Sequence, residues 1–214
     1  LQWLNNKKEV AIANVIETWG SSPRPVGSIM AINSDHDIIG SVSGGCVESF
    51  VFGKALEVIK NNNVETIEFG VSNSKAWEVG LTCGGKIKVF LEKISHKDID
   101  FIKKVNDIYT ENKTMIIATK LDDGQRDIFY NSDEKKSKHK LKINFNTIKS
   151  GIRLLDDQEW FFKVFQNNAK IIIVGAVHIA EPLINFANQL NYEVFLIDPR
   201  STFNEKKFNN IKIF

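Results

Sequence analysis

Gly40-Ser41-Val42-Ser43-Gly44-Gly45-Cys46-Val47-Glu48 is the stretch on which the reading of this chain turns. Before it, Ser28 to Asn33 and Ile38 to Val42 form two short apolar runs across the polar turn Ser34-Asp35-His36-Asp37, the pattern of a hairpin. After it, Val47, Phe50, Val51, Ala55, Val58 and Ile59 recur on one helical face, and Asn61-Asn62-Asn63 ends the helix. The quoted stretch is therefore a strand-to-helix turn. Its Gly-Gly pair exposes backbone N–H groups, and Cys46 falls at the positive end of a helix dipole. Helix N-termini lower thiol pKa, so Cys46 is a candidate reactive or ligating thiolate. Taken alone, the same residues also read as turn chemistry around a buried, inert cysteine.

Working outward, Glu9 to Trp19 is rich in Val and Ile and reads as a strand. Gly20-Ser21-Ser22-Pro23-Arg24-Pro25-Val26-Gly27 breaks it, with Arg24 held between two prolines. Val64 to Phe69 and Lys86 to Lys93 alternate as strands on either side of a second glycine-rich loop, Gly70 to Gly85. An amphipathic helix is expected over Lys97 to Asn112, and strands over Thr114 to Leu121, Arg126 to Tyr130 and Trp160 to Phe165. Asn131 to Lys142 is a charged run, read as a solvated hairpin tip. His36, His96 and His139 have no partner recognisable in the sequence and receive no role.

The 43% hydrophobic and 25% charged composition of these 214 residues is that of an ordinary globular protein. A net charge of +2 gives no general attraction for nucleic acid or anionic membrane. No apolar run approaches the ~20 residues of a membrane span, and the N-terminus lacks the order of a signal peptide. Two cysteines without CxxC spacing form no disulfide framework, and a reducing cytoplasm is the expected compartment.

Near the C-terminus, Lys170 to Val174 is expected as a buried strand, Gly175-Ala176-Val177-His178-Ile179-Ala180 as a tight turn, and Leu183, Phe186, Ala187 and Leu190 as the apolar face of a helix. Glu193 to Ile197 follows as a strand ending at Asp198-Pro199-Arg200. Strand, glycine-led turn, helix and a strand with a terminal acid open a Rossmann unit. The motif departs from G-x-G-x-x-G at Val177, where glycine normally admits a pyrophosphate, while Asp198 stands about where a ribose-binding acid is expected. Gly175, His178 and Asp198 are thus candidate nucleotide contacts, and an unliganded packing scaffold is the competing reading.

The two cysteine loops say more as a pair. Gly44-Gly45-Cys46 and Cys83-Gly84-Gly85 hold the chain's two thiols, each against a di-glycine. Paired soft thiolates suit molybdenum or copper, sulfur transfer or a reversible disulfide. Glycine-flanked amides suit an oxyanion, and Arg24 can supply a forked contact to a phosphate.

Three stretches taken together carry a family resemblance: Thr18-Trp19-Gly20-Ser21-Ser22-Pro23-Arg24-Pro25-Val26-Gly27-Ser28, Gly40 to Glu48, and Glu78-Val79-Gly80-Leu81-Thr82-Cys83-Gly84-Gly85. They resemble the XdhC/CoxI family of maturation factors for xanthine dehydrogenase and carbon monoxide dehydrogenase. Gly175 to Ala180 and Asp198-Pro199-Arg200 resemble the start of that family's C-terminal Rossmann domain, whose usual second half is missing here. That implies a truncated, split or short-form member. The resemblance implies binding of molybdenum cofactor, help with its sulfuration by a cysteine desulfurase, and delivery to a molybdenum hydroxylase. Carried over residue by residue, Cys46 and Cys83 match the motif cysteines, with Arg24, Ser43, Gly44, Gly45, Glu48, Gly84 and Gly85 around them. Cys46 is the thiol expected at the molybdenum.

The expected protein is α/β. A mixed N-terminal domain spans residues 1–94, a connecting α/β segment 95–166 and an incomplete Rossmann-like unit 167–214. The expected role is that of a cytoplasmic, cofactor-binding maturation chaperone rather than a stand-alone enzyme, forming a homo-oligomer. An NAD(P)-binding oxidoreductase or nucleotide-binding scaffold using the Gly175 motif is the alternative.

Overall fold

The computed structural model describes residues 1–45, 47–70, 85–130, 145, 147–200, 208, 211 and 213–214. It divides into two compact units, Leu1–Phe165 and Gln166–Phe214.

The first unit opens with a one-turn helix α1 (Gln2–Asn5) and the long strand β1 (Val10–Trp19). The hairpin β2 (Ile29–Asn33) and β3 (Ile38–Gly40) follows, antiparallel as the paired apolar runs require. Helix α2 (Glu48–Asn61) then leads to β4 (Val64–Phe69) and β5 (Lys86–Ile94). These strands form a five-stranded sheet in the order β3-β2-β1-β5-β4. Asn62 ends α2 in the left-handed conformation, its N–H returning to Val58 O. Asparagine tolerates that backbone better than most residues, so the Asn run stops the helix.

Helix α2 lays Val51, Ala55, Val58 and Ile59 on one face of this sheet, against Ala11, Ala13, Val15, Val89 and Leu91. The opposite face contributes Ile16 and Phe90, which pack with Leu121 and Phe161 of a second sheet. Burial on both faces explains why β1 is a nearly continuous apolar run rather than an alternating one. Fully burying a Phe such as Phe90 or Phe161 contributes roughly 1.5–3 kcal/mol before ordering costs are counted.

A short 3₁₀ turn (His96–Asp98) and helix α3 (Ile99–Thr110) lead into that second sheet. It comprises β6 (Met115–Lys120), β7 (Arg126–Tyr130), β8 (Gly151–Leu155) and β9 (Gln158–Phe165) in the antiparallel order β7-β6-β9-β8. The sequence pattern gives no sign of strand β8. The segment 95–166, expected as a connecting α/β segment, holds α3 and this sheet, whose aromatic core of Phe129, Trp160 and Phe162 lies inside the first unit.

A buried ion network ties the two sheets. Arg126 on β7 donates from Nε to Glu92 Oε2 on β5 at 2.7 Å and from Nη1 to Asp98 Oδ1 at 2.9 Å. Asp98 is itself fixed by a capping box with Ser95. Burial pushes the Glu92 carboxyl up, and the Arg126 charge opposes that push.

The second unit is a parallel β-α-β: β10 (Lys170–Val174), helix α4 (Ala180–Gln189) and β11 (Glu193–Ile197), paired from Lys170↔Glu193 to Val174↔Ile197. Two expectations are corrected here. Strand β10 is not buried throughout: Ile173 is enclosed, but Ile172 and Val174 are exposed. Helix α4 packs through Ala180, Ile184 and Ala187, while Leu183, Phe186 and Leu190 of the expected inner face point to solvent. Both stripes obey helical spacing, and the small alanines admit the closer approach to the sheet. Among the described residues, no helix is long and apolar enough to cross a membrane.

Candidate functional site

The first glycine-rich loop is organised by an acid from within the chain. Glu48 is the first residue of α2, and its carboxylate folds back over the loop that precedes the helix. Oε1 accepts the Ser41 hydroxyl at 2.7 Å and the amides of Val42, Ser43 and Gly44 at 3.2, 2.9 and 2.9 Å. Oε2 accepts the Ser43 hydroxyl and the Gly45 amide, the latter at 2.8 Å. Ser43 Oγ in turn accepts the Val47 N–H at 3.1 Å, which secures the first turn of the helix. Gly44 and Gly45 have φ of +85° and +126°, values that only glycine adopts without strain, and so their amides can converge on one carboxylate.

Partial burial works to raise the Glu48 pKa, but the Ser43 and Ser41 hydroxyls and the Ser43 and Gly45 amides outweigh it and hold it at about 2. The amides of Ser43, Gly44 and Gly45, expected to meet a ligand phosphate, meet Glu48 instead. Cys46 lies outside the described residues, between Gly45 and Val47, both of which are pinned by this network.

The proline-bracketed loop is where the motifs come together. Gly44 lies close to Pro23: a β-carbon there would stand 4.0 Å from Pro23 Cβ. At the far side, a β-carbon on Gly85 would stand 3.0 Å from Ser21 O and 3.1 Å from Trp19 O. Only glycine lets the end of the second glycine-rich segment approach that backbone without displacement. The loop therefore packs against Gly85 through Ser21 and comes near Gly44 through Pro23. Cys83 and Gly84 lie outside the described residues, so the meeting of the motifs is established at Gly85 and not at the second thiol. Arg24 is exposed at the crest of the loop, and the Ser22 hydroxyl donates to its carbonyl at 3.0 Å.

Sequence reasoning missed Lys163, which anchors this loop from the second sheet. Its Nζ donates to Gly27 O at 2.6 Å and lies 4.8 Å from the Phe165 ring centroid. Burial lowers its pKa to about 7. A cation in a run of aromatics, Trp160-Phe161-Phe162-Lys163-Val164-Phe165, was the available signal.

In the second unit, Gly175 and Asp198 also come together. Asp198 is 6% exposed, and its Oδ2 accepts the Ala176 N–H at 2.6 Å. Its Oδ1 accepts both the N–H and Nε of Arg200 at 2.9 Å, and Arg200 Nη2 reaches Oδ2 at 2.7 Å. The Arg200 guanidinium first, then these amides, hold the carboxyl well below the usual carboxylate range. A carboxylate so engaged must exchange Arg200 before it can take a ribose hydroxyl. His178 and Val177 are exposed in the turn before α4. His36 stacks edge-on against Phe52, and His96 lies exposed in the 3₁₀ turn. The charged run 131–142, with His139, lies outside the described residues.

Comparison with known proteins bears out the resemblance. Residues 3–70 match the XdhC and CoxI family. That segment contains the motifs at 18–28 and 40–48, while the one at 78–85 lies beyond it. A molybdenum cofactor insertion chaperone of Escherichia coli, PaoD, is 33% identical over 91 residues, 42% of this chain and 28% of that protein. A protein of Bacillus subtilis described as a probable xanthine dehydrogenase component is 27% identical over 121 residues, 56% of this chain and 37% of that protein. The chain thus matches only 28% to 37% of the length of these relatives. A crystal structure described as a xanthine dehydrogenase from Bacillus halodurans superposes with a TM-score of 0.71 at 23% identity, covering 99% of this chain and 66% of that one. At that identity the likeness establishes a shared fold, a mixed α/β architecture with several sheets.

Proposed function

We propose that this chain, whose residues 3–70 match the XdhC and CoxI family, is a maturation factor that binds molybdenum cofactor and passes it to a molybdenum hydroxylase of the xanthine dehydrogenase or carbon monoxide dehydrogenase type. The observation that carries this reading is the gathering of the motif loops: the 20–27 loop comes near Gly44 through Pro23 and packs against Gly85 through Ser21. A similarity of motifs alone would leave them scattered. The role of the E. coli relative, molybdenum cofactor insertion, points the same way.

In this reading the cofactor supplies the molybdenum and its pterin dithiolene, and the chain supplies a protected resting place. Cys46 and Cys83 are the thiols offered to the metal or its sulfur. Arg24, exposed and stiffened by Pro23 and Pro25, offers a forked contact to the terminal phosphate. Because Glu48 occupies the Ser43, Gly44 and Gly45 amides, its part is to shape the loop on either side of Cys46. Sulfuration by a cysteine desulfurase, a homo-oligomeric state and a cytoplasmic site of action belong to the same proposal. So does a Rossmann-type identity for the second unit, supported by the parallel β10-α4-β11 arrangement and by the parallel bridge of Ile213 to Leu196.

The test is co-expression with the cofactor's biosynthetic pathway, followed by assay of the purified chain for pterin and molybdenum. Both are expected to accompany the wild-type chain at near one equivalent. Their absence would remove the reading.

A further inference from the structure

Beside the Gly85 contact lies a cavity of about 370 Å³, lined in part by Thr18 and Trp19 and set apart from the Glu48 network of the first glycine-rich loop. It opens on the face of the first sheet that looks away from α2. A bulge between Val15 and Glu17 resets the register of β1, after which Glu17 faces Lys88 and Trp19 faces Lys86 across β5. On the other flank of β5, Glu68 faces Lys88. Because side chains alternate along a strand, Glu17, Trp19, Lys86, Lys88 and Glu68 all stand on this one face, while Ile87 and Phe69 turn into the core under α2. Directly opposed residues have β-carbons about 5 Å apart, so the five form one continuous patch.

The composition of this patch specifies a ligand. Trp19 is 67% exposed, an unusual placement for an indole at the end of a central strand. An exposed aromatic face at the mouth of a cavity is a stacking platform for a planar heterocycle. Glu17 is two residues from Trp19 on the same face, about 6.6 Å along the strand, within reach of the edge of a ring stacked on the indole. A carboxylate recognises an edge that presents two parallel N–H donors, as the 2-amino-4-oxopyrimidine ring does. In the register Lys88 stands between Glu17 and Glu68. Lys86, opposite Trp19, is the cation of the patch placed nearest the indole to meet an anionic substituent on the same ring.

We propose that this cavity binds a bicyclic ring carrying a 2-amino-4-oxopyrimidine edge, stacked on Trp19, with Glu17 or Glu68 reading the donor edge and Lys86 meeting an attached phosphate. The proposal rests on the cofactor reading above, since a pterin has this edge, but a guanine base shares the chemistry. It extends the site from the thiol loops to a ring-binding subsite on the opposite side of Gly85.

Neopterin, whose own emission reports binding by anisotropy, is titrated with the purified chain, and GMP and AMP are used as competitors. Neopterin and GMP should bind and AMP should not, because adenine lacks the paired donor edge. Trp19→Ala should weaken neopterin binding about tenfold or more. Glu17→Gln with Glu68→Gln should weaken it comparably while leaving the circular dichroism spectrum unchanged. Stronger binding of GMP than of neopterin would assign the natural ligand to a guanine nucleotide at the same site. Equal binding of AMP, full affinity in Trp19→Ala, or no wild-type binding at millimolar neopterin would each overturn the proposal. The two readings separate cleanly. Co-purified cofactor retained in full by Trp19→Ala defeats the ring subsite alone. Neopterin binding without co-purified cofactor defeats the maturation role alone.

Discussion

The Gly45 amide donates to Glu48 Oε2 at 2.8 Å, so the residue that opens α2 also closes the loop that precedes it. The glycine loop has its anion built in. A phosphate arriving at these amides would have to displace a carboxylate that already collects the N–H groups of residues 42 to 45 and two hydroxyls. Contact with a cofactor is accordingly assigned to the outer surface of the loops, and Glu48 to holding their shape.

Replacing Glu48 tests that assignment. Glu48→Ala leaves several amides without an acceptor and should cost about 2 kcal/mol, read as a lower urea midpoint. Glu48→Gln keeps an acceptor oxygen and should fall between Glu48→Ala and the wild-type chain. The Cys46 thiol should also label faster with a maleimide in both variants, and unchanged labelling would deny Glu48 its hold on the loop.

Glu48 also gives the fold an acid limit. Its folded pKa of about 2 lies below the ordinary 4.5, so its contribution is complete above about pH 4.5 and is lost as the pH falls toward 2. Denaturation midpoints measured from pH 6 to 2.5 should fall more steeply for the wild-type chain than for Glu48→Gln. Parallel curves would contradict the depressed pKa.

Lys163 gives a slope of the same sign at higher pH, but as a burial cost that is relieved rather than a contribution that is gained. Its folded pKa of about 7 lies below the ordinary 10.5, so between those values the unfolded chain holds more protons. Stability therefore rises with pH from about 7 to 10.5 on account of this group, and below pH 7 the full cost of burying the cation is felt. Lys163→Met should remove that slope and raise the midpoint at pH 6. A lower midpoint at pH 6 would mean that the bond to Gly27 O outweighs the burial cost.

Arg126 is the residue whose loss should damage the fold most. Arg126→Met strands Glu92 inside the protein and should cost roughly 3–5 kcal/mol in chemical denaturation. The double variant Arg126→Met, Glu92→Leu removes both charges and should recover most of that loss. Equal damage from the single and double variants would show that packing, not the uncompensated charge, sets the cost.

Much of this architecture is legible in the chain, for reasons that differ by element. Strands β1 to β7 and β9 and the helices α2 and α3 follow from apolar spacing, and all but β3, whose three residues are exposed, bury part of a face. β8 escapes, since Gly151-Ile152-Arg153-Leu154-Leu155 does not alternate and is only partly covered. The inner face of α4 is misread from the sequence because two apolar stripes compete on one helix. The small one, through Ala180, Ile184 and Ala187, packs closer than the bulky one. At the candidate site, the unusual residues of the loops can be read, but their mutual contacts cannot. That Pro23 meets Gly44, or that Glu92 pairs with Arg126 across 34 positions, depends on sheet order, which local pattern does not encode.

The most direct test of the central claim compares the wild-type chain with a Cys46→Ala, Cys83→Ala double variant, each co-expressed with the cofactor pathway and assayed for bound pterin. The wild-type chain should carry the pterin, and the double variant, folded by circular dichroism, should lose most of it. Undiminished pterin in the double variant would contradict the role given to the thiols. No pterin on the wild-type chain would contradict the account as a whole.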